Sequence, residues 1–513
     1  MIINIQLLKH SLNNQTHNQC EISKMLKEFI PFIDKDRYLT IQLFEFLASQ
    51  KKTVHSLVKI QEVLQVSQYR AKITIQDAIS LSKDFPTFKI TFENDILSAL
   101  NIDNFLLNKI IDFEAHKSLR FRIFLYTTLN IYSESDTEFQ RNVGISSSTY
   151  FRLKKGLSQD IGSSKIECMR KSEVFSRYYI YQVLVYFSFF DYFPSGIKAN
   201  KNFIKMKNSI AYCTLIWKIT PTQSQRKQIN YFVTIGILRS KNQHHITEND
   251  NEYLVEVLLH EQILLFMKHL SKDWYMLEKS ASLVTRYALT FLINTNNLPV
   301  SQLKLLKNFS DIQSITNQQV DIIKDLADPS LVDTKIIDLQ NKLLKANARI
   351  LSPFFKTDLF FTEQHWYYAN LLRNGAVENL IDEFTTLISS ANSTPFNKQE
   401  IAQIKKDYSL IILPKLSIRN LILPIHIVVD FSEGSLFNDY ITSGLQSITG
   451  LNIKIDQHLS KLTDIYLTDT FNPSYTKQQI IWPAMPKKSD WQQLKAHIMS
   501  LQKHRFDQLD TSN

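Results

Sequence analysis

The chain has 513 residues, 44% hydrophobic and 21% charged, enough for several packed cores and too apolar for a disordered polymer. A formal net charge of +10 favours polyanionic partners. Cys20, Cys168 and Cys213 are scattered, with no CxxC spacing, which argues against a disulfide framework and a zinc site; reduced thiols and a cytoplasmic protein are expected.

Only nine glycines and 13 prolines interrupt the chain, so long helices are favoured over tight turns. Met1–Leu8 is apolar but short, and it lacks the charged start and cleavage site of a signal peptide. From Arg37 the spacing of Leu39, Leu43, Phe44 and Leu47 predicts a helix. Further helices are expected over Val54–Leu64 and from Ser67 to about Ser82. The alternation at Phe88–Phe92 then reads as a short strand, a candidate wing. The order repeats downstream: a long helix over Phe113–Tyr132, a short one over Asp136–Val143, a turn at Gly144, and a helix from Ser146 to Leu157.

The positive charge concentrates on these two regions. Lys51–Lys83 holds six Lys/Arg against two Asp/Glu, and Arg141–Lys171 holds seven against two. A helix-turn-helix requires two short helices locked by apolar residues, with a turn that leaves the second helix free to enter a major groove. In the second candidate, Phe139 and Val143 face inward, Gly144 turns the chain, Ile145 seals the turn and Ser146 caps the next helix. Tyr150 and Leu153 are expected to pack back on the core. Ser147, Ser148, Thr149, Arg152, Lys154 and Lys155 remain for bases and phosphates. The first candidate uses Ile60, Leu64 and Val66, with Ser67 as cap, and exposes Gln68, Tyr69, Arg70 and Lys72. Gln65 stands where a glycine is usual, and the register over Ala71–Thr74 is ambiguous by one residue.

From Glu173 to Tyr408 the pattern is almost wholly helical, with connectors at Phe193–Gly196, Asn294–Pro299, Asp328-Pro329 and Ser389–Pro395. Phe175–Phe193 is strongly apolar, but Arg177, Gln182 and Asp191 interrupt it, so a buried core helix is expected rather than a membrane span. The last block changes character. Strands at Leu421–Val429, Leu451–Ile455, Asp464–Leu467 and Ile480–Trp482, with helices at Leu436–Ile448 and Asp490–Gln502, predict a small parallel α/β sheet.

In this order of parts, Val54–Ser82 (VHSLVKIQEVLQVSQYRAKITIQDAISLS) and Asp136–Asp160 (DTEFQRNVGISSSTYFRLKKGLSQD) resemble the Mga family of Gram-positive virulence regulators, the group that includes AtxA and the RofA-like proteins. The resemblance implies a mainly α multidomain protein. It would have a winged helix-turn-helix domain over 1–95 and a second helix-turn-helix domain over 96–170. Two helical phosphotransferase-regulation domains would follow over 171–290 and 291–410, and then a IIB-like α/β domain over 415–505. It also implies promoter DNA as partner, a homodimer through the C-terminal domain, and regulation by phosphocarriers of the sugar-transport system. His244, His245, His260, His269 and His365 are then the candidate phosphoryl acceptors. The transport enzymes carry a phosphorylated cysteine after the first strand of the IIB-like domain. Here that loop is Asp430-Phe431-Ser432-Glu433-Gly434, so phosphoryl relay by this domain is not expected.

Two other classes compete. An RNA-binding antiterminator shares the helical middle but begins with a small β-rich domain, unlike this N-terminus. A phosphotransferase component, or another enzyme, would need a nucleophile or a motif. The chain has no P-loop, Rossmann glycine fingerprint, HExxH or GxSxG, so no catalysis and no cofactor are expected.

Overall fold

The computed structural model describes residues 29–50, 52–131, 135–188, 193, 204, 222–258, 280–295, 298–326, 333–354, 375–392, 394–412, 424–448, 453–473 and 475–510. The architecture is mainly helical, with a small parallel sheet near the C-terminus. The chain divides into two bodies, Met1–Asn308 with Leu351–His365, and Phe309–Ile350 with Trp366–Asn513.

The first body begins with α1 (Tyr38–Ser49), β1 (Val54–Ser56), α2 (Leu57–Leu64) and α3 (Gln68–Leu81). A hairpin of β2 (Lys89–Glu93) and β3 (Ile96–Leu100) follows. The expected strand is present, and its partner β3 is an addition to the sequence reading. The two-residue turn between them is Asn94-Asp95, with φ of 50° and 59°. Positive φ at both central residues matches the twist of a tight hairpin. Residues 54–56, expected to open a helix, instead pair antiparallel with β3, giving the order β1-β3-β2. Leu57 N–H also donates to the Asp95 carbonyl at 2.8 Å, so the hairpin holds the start of α2.

The long helix expected over Phe113–Tyr132 is two helices, α4 (Asn104–Lys117) and α5 (Leu119–Leu129). Ser118 breaks it: its backbone is extended, and its hydroxyl accepts from the N–H groups of Arg120 and Phe121. The chain continues through α6 (Asp136–Val143), α7 (Ser147–Ile161), α8 (Ser163–Lys171) and α9 (Glu173–Tyr186). Next come α10 (Gln223–Lys241), a 3-10 turn (Glu248–Tyr253), α11 (Ala281–Asn294) and the short α12 (Val300–Leu303). The apolar α9 is a core helix, with Tyr178 stacked on Phe354 at 4.1 Å and Tyr181 edge-on to Phe291. Among the described residues no helix is long and apolar enough to cross a membrane.

Two carboxylates, Glu173 and Asp250, tie helices of this body together. The Glu173 carboxylate accepts from Arg177 Nε (2.7 Å) and from Arg239 Nε and Nη2 (2.9 and 2.5 Å). Burial pushes its pKa up, and the two guanidiniums overcome that and hold it below the usual range. Asp250, also buried, accepts from Ser172 Oγ at 2.6 Å and from Val174 N–H.

The second body has a helical part, whose described helices are α13 (Phe309–Leu326), α14 (Asp333–Ile350), α15 (Gly375–Ser390) and α16 (Lys398–Ile412), and an α/β part. The core of the helical part holds a buried polar chain. Tyr408 O–H donates to Asn347 Oδ1, and Asn347 Nδ2 donates to Thr316 and Gln319. The α/β part consists of β4 (Ile425–Asp430), α17 (Ser435–Ser447), β5 (Ile453–Asp456), β6 (Ile465–Thr468), β7 (Gln478–Ile481) and α18 (Lys488–Asp510). Its order is β5-β4-β6-β7, every pairing parallel. Ile425, Ile427, Ile465 and Leu467 pack with Ile441, Leu445 and Trp482. Gly444 sits against Trp491, where a Cβ would come within 2.6 Å of the indole.

Glu45 of α1 is buried, and its Oε1 has no hydrogen-bond partner among the described residues. Burial raises its carboxyl from 4.5 to about 7. The folded state therefore favours the protonated acid. The associated stability is full at low pH and is lost as pH rises from the unfolded value through about 7. Glu45→Gln should leave the melting midpoint nearly unchanged at pH 5 and raise stability at pH 8 by about 2 kcal/mol. Thermal denaturation of both proteins at the two pH values checks this; an equal shift at both would show that ionisation is not the cause.

Candidate nucleic-acid interface

The turn of each helix-turn-helix is set by a few residues, and the two turns are built alike. Ser56 caps α2 by accepting from Lys59 N–H at 3.3 Å, and Ser135 caps α6 from Glu138 N–H at 3.2 Å. Each first helix ends on a left-handed residue, Gln65 (φ 53°, ψ 45°) or Gly144 (φ 75°, ψ 34°). An apolar residue follows, and its N–H closes onto a glutamine carbonyl: Val66 onto Gln61 (3.3 Å), Ile145 onto Gln140 (3.0 Å). Ser67 and Ser146 then cap α3 and α7 through the Arg70 and Thr149 N–H groups. These residues recur at one constant spacing, so Ser56, Gln61, Gln65, Val66 and Ser67 occupy the places of Ser135, Gln140, Gly144, Ile145 and Ser146. Gln65 thus adopts the conformation for which the sequence favours glycine.

Behind α3, Ile60, Leu64, Ala71, Thr74, Ile75 and Ala78 are buried, which settles the register that is ambiguous over Ala71–Thr74. Behind α7, Phe139 stacks on Tyr126 (4.5 Å) and meets Tyr150 (5.8 Å). Both phenols donate to Asp136 Oδ1, at 2.8 and 3.1 Å. Burial, reinforced by that carboxylate, pushes Tyr126 up to about 12 and moves Tyr150 in the same direction. The far half of α7 is held by Arg120, whose Nη2 donates to Asp160 at 2.6 Å.

The outward faces differ from expectation at several residues. Lys72 is half-buried and ion-paired with Asp95 of the hairpin turn at 2.9 Å, so it ties α3 to the hairpin instead of projecting from it. Lys154 folds onto Tyr150, with Nζ 3.2 Å from the hydroxyl and 5.3 Å from the ring centre. Leu153, expected in the core, is only half-buried. On α3 the residues Ser67, Gln68 and Tyr69 are exposed, Tyr69 to 76%, and Arg70 is half-buried. On α7 the residues Ser147, Ser148, Arg152 and Lys155 are exposed, and Thr149 is half-buried, its hydroxyl accepting from Ser146. Neither Arg152 nor Lys155 has a carboxylate partner among the described residues.

Sequence reasoning missed exposed Arg141 at the end of α6 and exposed Phe151 beside Arg152. Helical projection from Phe139 could have placed Arg141. Phe151 was hidden by the presumption that an aromatic belongs to the core. The carboxylate role of Asp136 had no local signal, because Tyr126 lies on another helix.

Of the candidate phosphoryl acceptors, His260, His269 and His365 lie outside the described residues. His244 is exposed, and its backbone carbonyl accepts from Arg177 Nη2 at 2.8 Å. Desolvation, then the nearby Arg239, pulls its imidazole below the usual value, which favours the neutral, nucleophilic form. His245 is half-buried, with Nε2 3.4 Å from Gln243 Oε1. Among the described residues no cluster of His, Cys, Asp and Glu could hold a metal ion.

The left-handed turns can be tested separately. A Cβ at Gly144 meets nothing within 4 Å, so its substitution carries only the backbone penalty. Gly144→Ala should cost about 1 kcal/mol and Gln65→Gly should gain a similar amount, read as opposite shifts of the denaturation midpoint. An unchanged midpoint for Gly144→Ala would mean that the turn is not left-handed in solution. No protein-family model matches the chain and no curated protein matches it, so the reading of this face rests on its own geometry.

Proposed function

We propose that the chain is a DNA-binding transcription regulator organised like the Mga-type activators. The observation that carries this reading is the pair of serine-capped, left-handed turns, each delivering a second helix whose first turn is polar and exposed. In this reading the hydroxyls of Ser147, Ser148 and Thr149, at the N-terminus of α7, meet phosphate oxygens. Arg152 and Lys155, one turn further on, reach base edges and the backbone. On α3 the corresponding surface is Gln68, Tyr69 and Arg70. The second unit presents two exposed cations on α7 and a third, Arg141, at the end of α6, and it is the principal reader.

The test is a gel-shift of the full chain on duplex DNA and on an RNA hairpin at low salt. Duplex should be retarded. Arg152→Ala with Lys155→Ala should weaken binding at least about tenfold. It should also flatten the salt dependence by about 0.9 in log–log slope for each phosphate that the variant no longer neutralises. Both side chains are exposed, so the fold should persist. No retardation of any duplex, or a preference for the hairpin, would overturn the reading.

Assembly through the region beyond residue 415 belongs to the same proposal. Support comes from an exposed apolar pair one turn apart on α17, Leu436 (85% exposed) and Tyr440 (53%). Leu436→Glu with Tyr440→Glu should convert a dimer into a monomer in sedimentation equilibrium; a dimer that survives would place the interface elsewhere. His244 and His245 are the described positions at which phosphocarriers of the sugar-transport system would act, His244 being the more accessible.

A further inference from the structure

The two helix-turn-helix units are not joined by a linker. α4 packs on α1, and so belongs with the first unit, while α5 packs on α7 of the second. Between α4 and α5 stands one residue, Ser118, which ends the first helix and caps the second. A flexible linker would let two DNA-binding units choose their spacing, whereas a one-residue junction between packed helices removes that freedom.

The junction is also clamped. Asp34 accepts from Ser118 Oγ at 3.0 Å and from Leu119 N–H at 3.2 Å. Arg120, buried, donates through Nε to the Pro31 carbonyl at 2.6 Å and through Nη2 to Asp160 of α7. Arg37, from the same segment, reaches Glu114 of α4 at 3.7 Å. Phe32 is buried edge-on to Phe121 and Phe124 of α5. The segment 30–37 therefore grips α4, α5 and α7 together, and α1 follows it directly.

From this geometry we propose that the two units form one rigid reader, so that a single chain contacts two segments of one duplex at a fixed spacing and phase. This rests on the DNA-binding reading above and adds to it a constraint on the partner: the two contacted segments must lie at one separation along the helix. A rigid reader cannot follow even an insertion of a full turn, which moves a segment by about 34 Å along the axis.

The experiment selects duplexes from a random 40-base-pair pool on the full chain, then footprints the tightest one with hydroxyl radicals. Two protected segments are expected. Insertions of one to ten base pairs between them should each lower affinity about tenfold or more, to the level of the Arg152→Ala, Lys155→Ala variant on the parent duplex. That variant should lose one protected segment and keep the other. A single protected segment, or affinity indifferent to the insertions, overturns the rigid reader while leaving DNA binding intact. Enrichment of no duplex overturns the DNA-binding reading, and the rigid reader with it.

Discussion

The N-terminal body depends on one buried cation. Arg120 is 3% exposed, and a guanidinium withdrawn from water costs several kcal/mol unless its donors are engaged. Its partners come from two distant segments, the Pro31 carbonyl before α1 and the Asp160 carboxylate near the end of α7. Neither can leave without stranding the charge, so the second helix of one helix-turn-helix is held to the segment that introduces the other. A Cβ at Gly156, one turn before Asp160, would sit 3.7 Å from Nη1, an ordinary contact distance, so the ion pair and not the glycine sets where the guanidinium lies along α7. Packing alone would define a hydrophobic contact of approximate geometry; the paired charge defines direction as well.

A second buried pair extends the same logic into the helical region. Arg239 of α10 donates to Glu173 at the start of α9 and, through Nη1, to the Thr128 carbonyl in the last turn of α5. A cation at a helix C-terminus satisfies carbonyls that lack an intrahelical partner and complements the dipole. Arg239 therefore welds α5, which packs on α7, to the helical region that follows. His244, three residues beyond α10, is anchored through its carbonyl to Arg177 of the same cluster. A dianionic phosphoryl group there would compete with Glu173 for Arg177 and Arg239, and it would do so beside the end of α5. Such competition supplies a physical route from the proposed modification to the proposed DNA-binding face without the movement of a domain.

Much of this was legible in the sequence, and what was not has identifiable causes. Helix periodicity and serine caps located α3, α6 and α7 to within a few residues, because a cap needs only a hydroxyl at the right place. The parallel sheet was legible from short apolar strands around the one helix that joins β4 to β5. The break at Ser118 was not, since apolar spacing continues through it and the reason for the break, the Asp34 carboxylate, lies far back in the chain. The hairpin partner β3 was missed for a related reason: its turn is Asn94-Asp95, without the glycine that usually signals two positive φ values. Lys72 and Lys154 were assigned to the outer face from helical position alone, and each turns aside to a partner, Asp95 or Tyr150, that position does not reveal.

Glycine scarcity lies behind the missed hairpin and recurs along the chain. Seven described residues other than glycine adopt positive φ: Gln65, Asn94, Asp95, Asn101, Asn130, Ser188 and Gln243. Each carries a backbone penalty that glycine would avoid, and the surrounding hydrogen bonds must offset it. At Gln65 they are visible: the Val66 N–H closes on Gln61, Ser67 caps the next helix, and the hairpin supports α2 through Leu57. The second unit has no hairpin among the described residues, and its turn does use glycine. The two turns thus reach one geometry by different means, the first held by its neighbours and the second by its own backbone. The paired construction that makes them alike is therefore visible in the position of the caps and the left-handed residue, and not in residue identity at the turn itself.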